Sequence, residues 1–336
     1  MRSADPRLIV REVATVVGLA EGERGVDAVL SALARLGPVS IRNVSRASEL
    51  PVPIVASICG ELRKRSVVAE ERPARLTPAG RAMFAPGELR LGPKATCPAC
   101  GGHGTVIPPT LGPVVRDVAI AARNAPAPRL ELDQCHCTVE TKIRRVLALH
   151  EAGALVGRRI LVLGDDDLMA LTIDRVVRRL GSSASIAHLA VLDVDPRLAR
   201  LARRALTGAP YSWSTVLHDL REPLPEELRG AFDTVLTDPP YTVPGALLFL
   251  SRAADAVVPH GDVFFSFGSR RPGAAYRVQQ GILEAGFVVR SLARDFNRYV
   301  GAGVLGGTSH LYHLSAASSL RPLEVEQVAS PLYTAG

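Results

Sequence analysis

The chain has 336 residues, 47% of them hydrophobic and 22% charged, with a formal net charge of +7. That length suggests two or three domains, and the composition excludes a disordered chain. No apolar run reaches the roughly 18 residues of a membrane helix, and Met1–Val10 lacks the pattern of a secretory leader, so a cytoplasmic protein without membrane contact is expected.

Residues 1–90 read as a winged-helix-like domain. AVLSALARLG has helical spacing and stops at Gly37-Pro38, IRNVSRASEL and PVPIVASICGELRKRSVV follow, and the segment closes on LTPAGR. Such modules bind DNA or dock and dimerise enzymes. The positive charge is concentrated toward this end: 18 Lys and Arg against 11 Asp and Glu up to Leu130, then 22 against 22. A basic front section could steer nucleic acid. With few aromatics it reads more simply as solvated arginine-rich helices, so nucleic acid is not the favoured partner.

Residues 91–140 turn to Gly, Pro and Cys and read as a Cys-rich linker. An odd count of five cysteines argues against a disulfide framework. Cys97-Pro-Ala-Cys100 has the spacing of a zinc knuckle, and Cys135 and Cys137 form a second, tighter pair. One structural zinc on these four thiolates is expected, with His103 and His136 as alternate ligands.

From residue 141 to 316, apolar strands alternate with helices: RRILVLG, IAHLAVLDVD, WSTVLHDLR, FDTVLTDPPYT and GDVFFSFG, with helical segments DLMALTIDRVVRRLG, PRLARLARRALTG and ALLFLSRAADAVV among them. This is the signature of an α/β fold with a doubly wound, mostly parallel sheet. Residues 317–336 form a Ser/Ala/Pro-rich tail without a readable signal.

Ligands of such sheets sit beyond the carboxyl ends of the strands. There stand Gly164-Asp165-Asp166-Asp167 after the first strand, Asp193 and Asp195 after the second, His218-Asp219 after the third, and Asp238-Pro239-Pro240-Tyr241 after the fourth. Asp193 is placed for ribose hydroxyls, with Asp195 beside it, and Asp219 for an adenine amino group. A single strand-end Asp is more often a helix cap, but four in order fit a methyltransferase-like Rossmann fold that binds S-adenosylmethionine or a relative. A cofactor carboxylate needs glycine-rich backbone N–H groups at the first strand end. Here one glycine precedes three acids, which would repel a carboxylate and attract an ammonium. The site therefore suits decarboxylated S-adenosylmethionine and a polyamine. DPPY adds an Asp side chain that can aim an attacking nitrogen, an aromatic to pack over it, and two prolines that stiffen the loop.

Together these residues resemble the branched-chain polyamine synthases, the bis(aminopropyl)spermidine synthase family. The resemblance rests on LDQ at 132–134 with Thr138 and Glu140, VLGDDDL at 162–168, VLDVD at 191–195, HDLREPLP at 218–225, FDTVLTDPPYT at 232–242 and RDFNRYV at 294–300. It implies aminopropyl transfer from decarboxylated S-adenosylmethionine to a polyamine such as spermidine, with methylthioadenosine released. It further implies that Asp165, Asp166 and Asp167 hold and deprotonate the acceptor amine, Asp166 or Asp165 being the base. Asp238, Tyr241 and the Asp295–Asn297 segment would shape the acceptor side. Gln134, Gly164, Asp193, Asp195, Asp219 and Pro239 would serve the nucleoside, in a homodimer. The rival readings are a methyltransferase that uses DPPY on a nucleic-acid or protein nitrogen, and a transcription factor carrying a degenerate enzyme domain.

Overall fold

The computed structural model describes residues 5–84, 105–181, 185–268, 272–300, 307–323 and 332–333. Two units divide the chain, Met1–Ala95 with Ala302–Thr308, and Thr96–Gly301 with Ser309–Gly336.

In the first unit, Pro6 opens helix α1 (Pro6–Val17), the Asp5 side chain accepts from the Arg7 N–H, and Gly18 at φ 66° ends it. Helices α2 (Glu23–Leu36), α3 (Ile41–Ser48) and α4 (Val52–Lys64) follow. Val13, Val26, Leu33, Val55, Ile58 and Leu62 from these helices form one core. Two antiparallel bridges, Val39 with Ala74 and Val68 with Leu76, flank the chain before α5 (Pro78–Phe84). Gly80 of LTPAGR is needed for close approach, since a Cβ there would fall 2.2 Å from the Val67 carbonyl oxygen.

The second unit holds strands β1 (Arg159–Leu163), β2 (His188–Asp193), β3 (Ser212–Leu217), β4 (Phe232–Thr237), β5 (Val257–Phe267), β6 (Phe287–Arg298) and β7 (Thr308–Ala316). They form one sheet in the order β3-β2-β1-β4-β5-β7-β6. The first five run parallel and β7 is antiparallel to β5. Ile160 and Val162 of β1 pack into one core with α6 (Gly112–Arg123), α7 (Val139–Glu151), α8 (Met169–Leu180) and α9 (Pro196–Leu206). Leu161 and Leu163 point the other way, into a core with α10 (Val243–Ala256) and α11 (Pro272–Glu284). Alternation along a strand buried on both faces produces this division. Part of the segment read as a linker belongs to this unit, because Leu111, Val114 and Val118 sit in the same core as β1. No described helix is long and apolar enough to cross a membrane.

The strand order reverses at β1, which has β2 on one side and β4 on the other. A crevice therefore opens at their carboxyl ends.

Candidate active site

At the end of β1, Gly164 takes φ +74°, a conformation that favours glycine, and turns the chain into three consecutive aspartates with different surroundings. The buried Asp165 turns back on α8, where its Oδ1 accepts from the Met169 N–H and, at 3.2 Å, from the Ala170 N–H. Burial raises its pKa to about 8, against the pull of those N–H groups. Asp166 lies on the pocket wall, and its Oδ2 accepts from the Cys135 N–H at 3.0 Å. Burial, together with the charges of Asp167, Asp238 and Asp193, raises its affinity for a proton well above the ordinary range. Asp167 is buried in an ion cluster: Oδ1 meets the Cys137 N–H (2.6 Å) and Lys142 Nζ (3.1 Å), and Oδ2 meets Arg145 Nη1 (2.7 Å). Burial opposes its ionisation, but the two cations prevail and hold its pKa below the usual carboxylate range.

The end of β2 repeats this division. Asp193 lines the pocket, and its two oxygens accept the Asp165 and Asp195 N–H groups at 2.7 Å each. Asp195 faces away. It caps α9 through the Arg197 N–H, pairs with the Arg197 guanidinium at 2.6 Å and accepts from Gln134 Nε2 at 3.2 Å. Burial opposes its ionisation, yet Arg197 brings its pKa down to about 2. Asp195, expected to serve the nucleoside, is a fully buried helix cap that meets the cavity wall through Gln134. Asp165 likewise spends one oxygen on capping its helix.

Beyond β4, Asp238 Oδ2 accepts from Arg145 Nη2 at 2.5 Å and from the Tyr299 hydroxyl at 2.7 Å. The Tyr241 hydroxyl lies 3.2 Å from Asp238 Oδ1 and 2.5 Å from that of Tyr299, and its ring stacks on Phe267. Arg145 Nε donates to Asn297 Oδ1 at 2.8 Å, so one buried guanidinium ties β1, β4 and β6 together. Asn297 belongs to this support, while the Asp295 N–H donates to His310 Nδ1. Of the five strand-end carboxylates Asp165, Asp166, Asp167, Asp193 and Asp238, two pair with the buried cations: Asp167 with Lys142 and Arg145, and Asp238 with Arg145. No ion pair joins Asp166 to a cation among the described residues.

These groups border an open crevice with about 620 Å³ of empty space, the solvent at its mouth included. Gln134, Gly164, Asp166, Asp193, Asp219 and Asp238 line it. Asp219 also carries a bidentate Arg221, whose hydrogen bonds lower its pKa. The DPPY turn contributes Asp238 and Pro240 to the wall, next to Pro239, the proline expected to serve the nucleoside. Leu332 and Tyr333, from the tail that carries no sequence signal, also line the cavity, and Thr242 Oγ1 donates to the Leu332 carbonyl at 2.7 Å.

The thiolate zinc finds no support among the described residues, where no three His, Cys, Asp or Glu side chains gather for a metal. Cys97, Cys100 and His103 lie outside them. Cys137 is buried, and burial together with Asp167 pushes its thiol well above the ordinary range. The main-chain N–H groups of Cys135 and Cys137 hold Asp166 and Asp167 instead.

Residues 114–319 match the model of the branched-chain polyamine synthase A C-terminal domain. The chain belongs to the branched-chain polyamine synthase family. Among family members, it is 31% identical over 312 residues to the N(4)-bis(aminopropyl)spermidine synthase of Thermococcus kodakarensis, covering 90% of this chain and 85% of that one. An uncharacterised protein of Methanocaldococcus jannaschii is 33% identical over 310 residues, covering 91% and 77%. The crystal structure of the branched-chain polyamine synthase from Thermus thermophilus, in complex with N4-aminopropylspermidine and 5′-methylthioadenosine, superposes with a TM-score of 0.76 at 26% identity, covering 99% of this chain and 98% of that one.

Sequence reasoning missed the supports of this synthase site: Lys142, Arg145, Tyr299 and Ser309, the last 2.9 Å from the Tyr299 hydroxyl. A signal for two of them existed. Five acids converging on one crevice require buried countercharge, and Lys142 and Arg145, three apart on a helix, share one face.

Proposed function

We infer that this chain transfers an aminopropyl group from decarboxylated S-adenosylmethionine to an internal secondary amine of a linear polyamine such as spermidine. The observation that carries the reading is where the N–H groups at the end of β1 are spent. The Gly164 N–H donates to the Leu192 carbonyl and the Asp165 N–H to Asp193, while those of Met169 and Ala170 are capped by Asp165. These are the donors a cofactor carboxylate would use. A cofactor lacking that carboxylate loses nothing here, and one bearing it meets Asp166.

In this reaction the acceptor nitrogen attacks the methylene carbon next to the sulfonium. The C–N bond forms, the C–S bond breaks with its electron pair going to sulfur, methylthioadenosine leaves, and the amine proton passes to a base. Asp166 supplies that base. Its crowding by Asp167, Asp193 and Asp238 strengthens its hold on a proton, which brings it closer to an amine in affinity. Asp238, fixed by Arg145 and Tyr299, orients the acceptor chain, and Asp193 keeps lone pairs for the ribose hydroxyls. The family relatives named for bis(aminopropyl)spermidine synthesis support the same acceptor class.

Titration calorimetry tests the reading. Decarboxylated S-adenosylmethionine should bind at least roughly tenfold tighter than the carboxylated form, because like charges about 4 Å apart repel by about 1 kcal/mol in water and several-fold more when partly buried. Equal or tighter binding of the carboxylated form sinks it.

A further inference from the structure

Outward from the layer of α6, α8 and α9, exposed charge is nearly all of one sign. Helix α6 exposes Arg116 and Arg123, and α8 exposes Arg178 and Arg179. Helix α9 adds Arg200, Arg203 and Arg204 within five residues. The one exposed acid on these helices is Asp117, since Asp174 is buried beneath them and α9 has none. Helix α8 packs against α6, α7 and α9, and the four form one layer over this face of the sheet, in which α7 exposes Glu140 and Glu151 at its two ends. Between α6 and α8 lies an open groove lined by Val114, Ala121 and Leu171 and by Arg175, Arg178 and Arg179, with Asp117 as its single acid. The opposite face differs: α10 exposes no charged residue, and α11 exposes Arg277 against Glu284.

For α8 and α9 folding produces this asymmetry, because the chain beyond Leu130 is neutral in sum, while α6 lies in the basic part before it. Like charges three and four apart, as at Arg200, Arg203 and Arg204, disfavour their own helix. Arg116, Arg123, Arg200 and Arg204 have no hydrogen bond or ion pair among the described residues. A polycationic acceptor is repelled by such a surface, so it does not steer substrate to the pocket. The charge is complementary to a polyanion, and the forked guanidinium matches phosphate oxygens.

We propose that the α6–α8–α9 face docks the phosphate backbone of nucleic acid without regard to sequence. Polyamines are counterions of that backbone and concentrate in its condensed layer. An enzyme held there by a face separate from its pocket works where its acceptor is enriched.

Fluorescence anisotropy of the full-length protein with labelled DNA duplexes of about 24 base pairs, in polyamine-free buffer, tests this. Two duplexes of unrelated sequence should bind alike. Their affinity should fall with salt at a log–log slope of about −3 or steeper, the signature of four or more phosphate contacts. R200E/R204E on α9, and separately R116E/R123E on α6, should each weaken binding roughly tenfold or more while leaving the circular dichroism and aminopropyl transfer to free polyamine within about twofold of the parent. Three results overturn the proposal. One is no binding at about 50 mM salt. Another is equal binding by the parent and both variants. The third is loss of binding in R35E/R42E of the first unit with none in the α6 and α9 variants. Light scattering adds a fourth: if the α9 reversal dissociates an oligomer, the face is covered by a second copy instead.

Discussion

The ends of β1 and β2 carry the same kind of sequence, an apolar strand running into closely spaced acids, and the two regions use them by the same rule. At each end one carboxylate folds back onto the helix that follows, Asp165 onto α8 and Asp195 onto α9. At each end one carboxylate remains on the cavity wall, Asp166 and Asp193. The ends differ in their third partner. Asp195 is compensated at the surface by Arg197, whereas Asp167 is compensated from within by Lys142 and Arg145, both almost fully buried. Anionic character at β1 thus depends on a buried framework that β2 does without. A cation arriving at Asp166 meets a site where Asp167 and Asp238 already have their ion pairs.

The largest test of this difference is Arg145→Met. Removing one guanidinium leaves Asp167 and Asp238 buried with less countercharge, which should cost about 3–5 kcal/mol in urea unfolding. Arg197→Met at the β2 end should cost no more than about 1 kcal/mol, because that pair is partly exposed. The pH dependence has a defined sign. Asp167 is held below the usual carboxylate range, so its contribution to stability is full above the unfolded-chain value of about 4 and is lost as pH falls below it. Arg145→Met should flatten that acid limb. If both variants lose equal stability, the buried framework is not what separates the two ends.

The next effect in size is Asp166→Asn, which keeps the shape of the side chain but can neither take a proton nor balance an ammonium. Turnover should fall by roughly 100- to 1,000-fold, about 3–4 kcal/mol of transition-state stabilisation. Calorimetric affinity for methylthioadenosine should stay within about twofold. A variant that turns over polyamine at nearly the parent rate would return Asp166 to the status of a solvated helix-start acid.

The strand ends were legible because an apolar run that stops at Gly164, Asp193 or Asp238 marks where a parallel strand leaves the sheet. The division of labour within each run was not. A side chain that caps a helix and one that binds a ligand are the same chemical group, and positive φ at Gly164 and Leu168 decides which aspartate turns inward. Arg145 and Lys142 were illegible singly, since Arg and Lys in an amphipathic helix are ordinarily solvent-facing. Tyr299 reaches Asp238 from 61 residues away, and only the antiparallel return of the chain brings it there. Leu332 and Tyr333 form a short apolar pair inside a polar tail, too brief for periodicity to register.

The smallest and most discriminating effect separates Asp193 from Asp195. Asp193 accepts two backbone N–H groups on separate oxygens and still faces the cavity, so Asp193→Asn turns one oxygen into a donor opposed to a donor. Loss of a charged hydrogen bond of about 1.5–3 kcal/mol should weaken methylthioadenosine by roughly 10- to 100-fold, with little change in rate at saturation. Asp195→Ala removes a cap and the Arg197 contact, which should cost about 1 kcal/mol of stability. Its nucleoside affinity should change by no more than about threefold, because only Gln134 connects Asp195 to the cavity wall. Equal loss of affinity in the two variants would mean that the capping acid acts on the ligand through Gln134. The β2 end would then work as one unit, and the rule drawn from the β1 end would not extend to it.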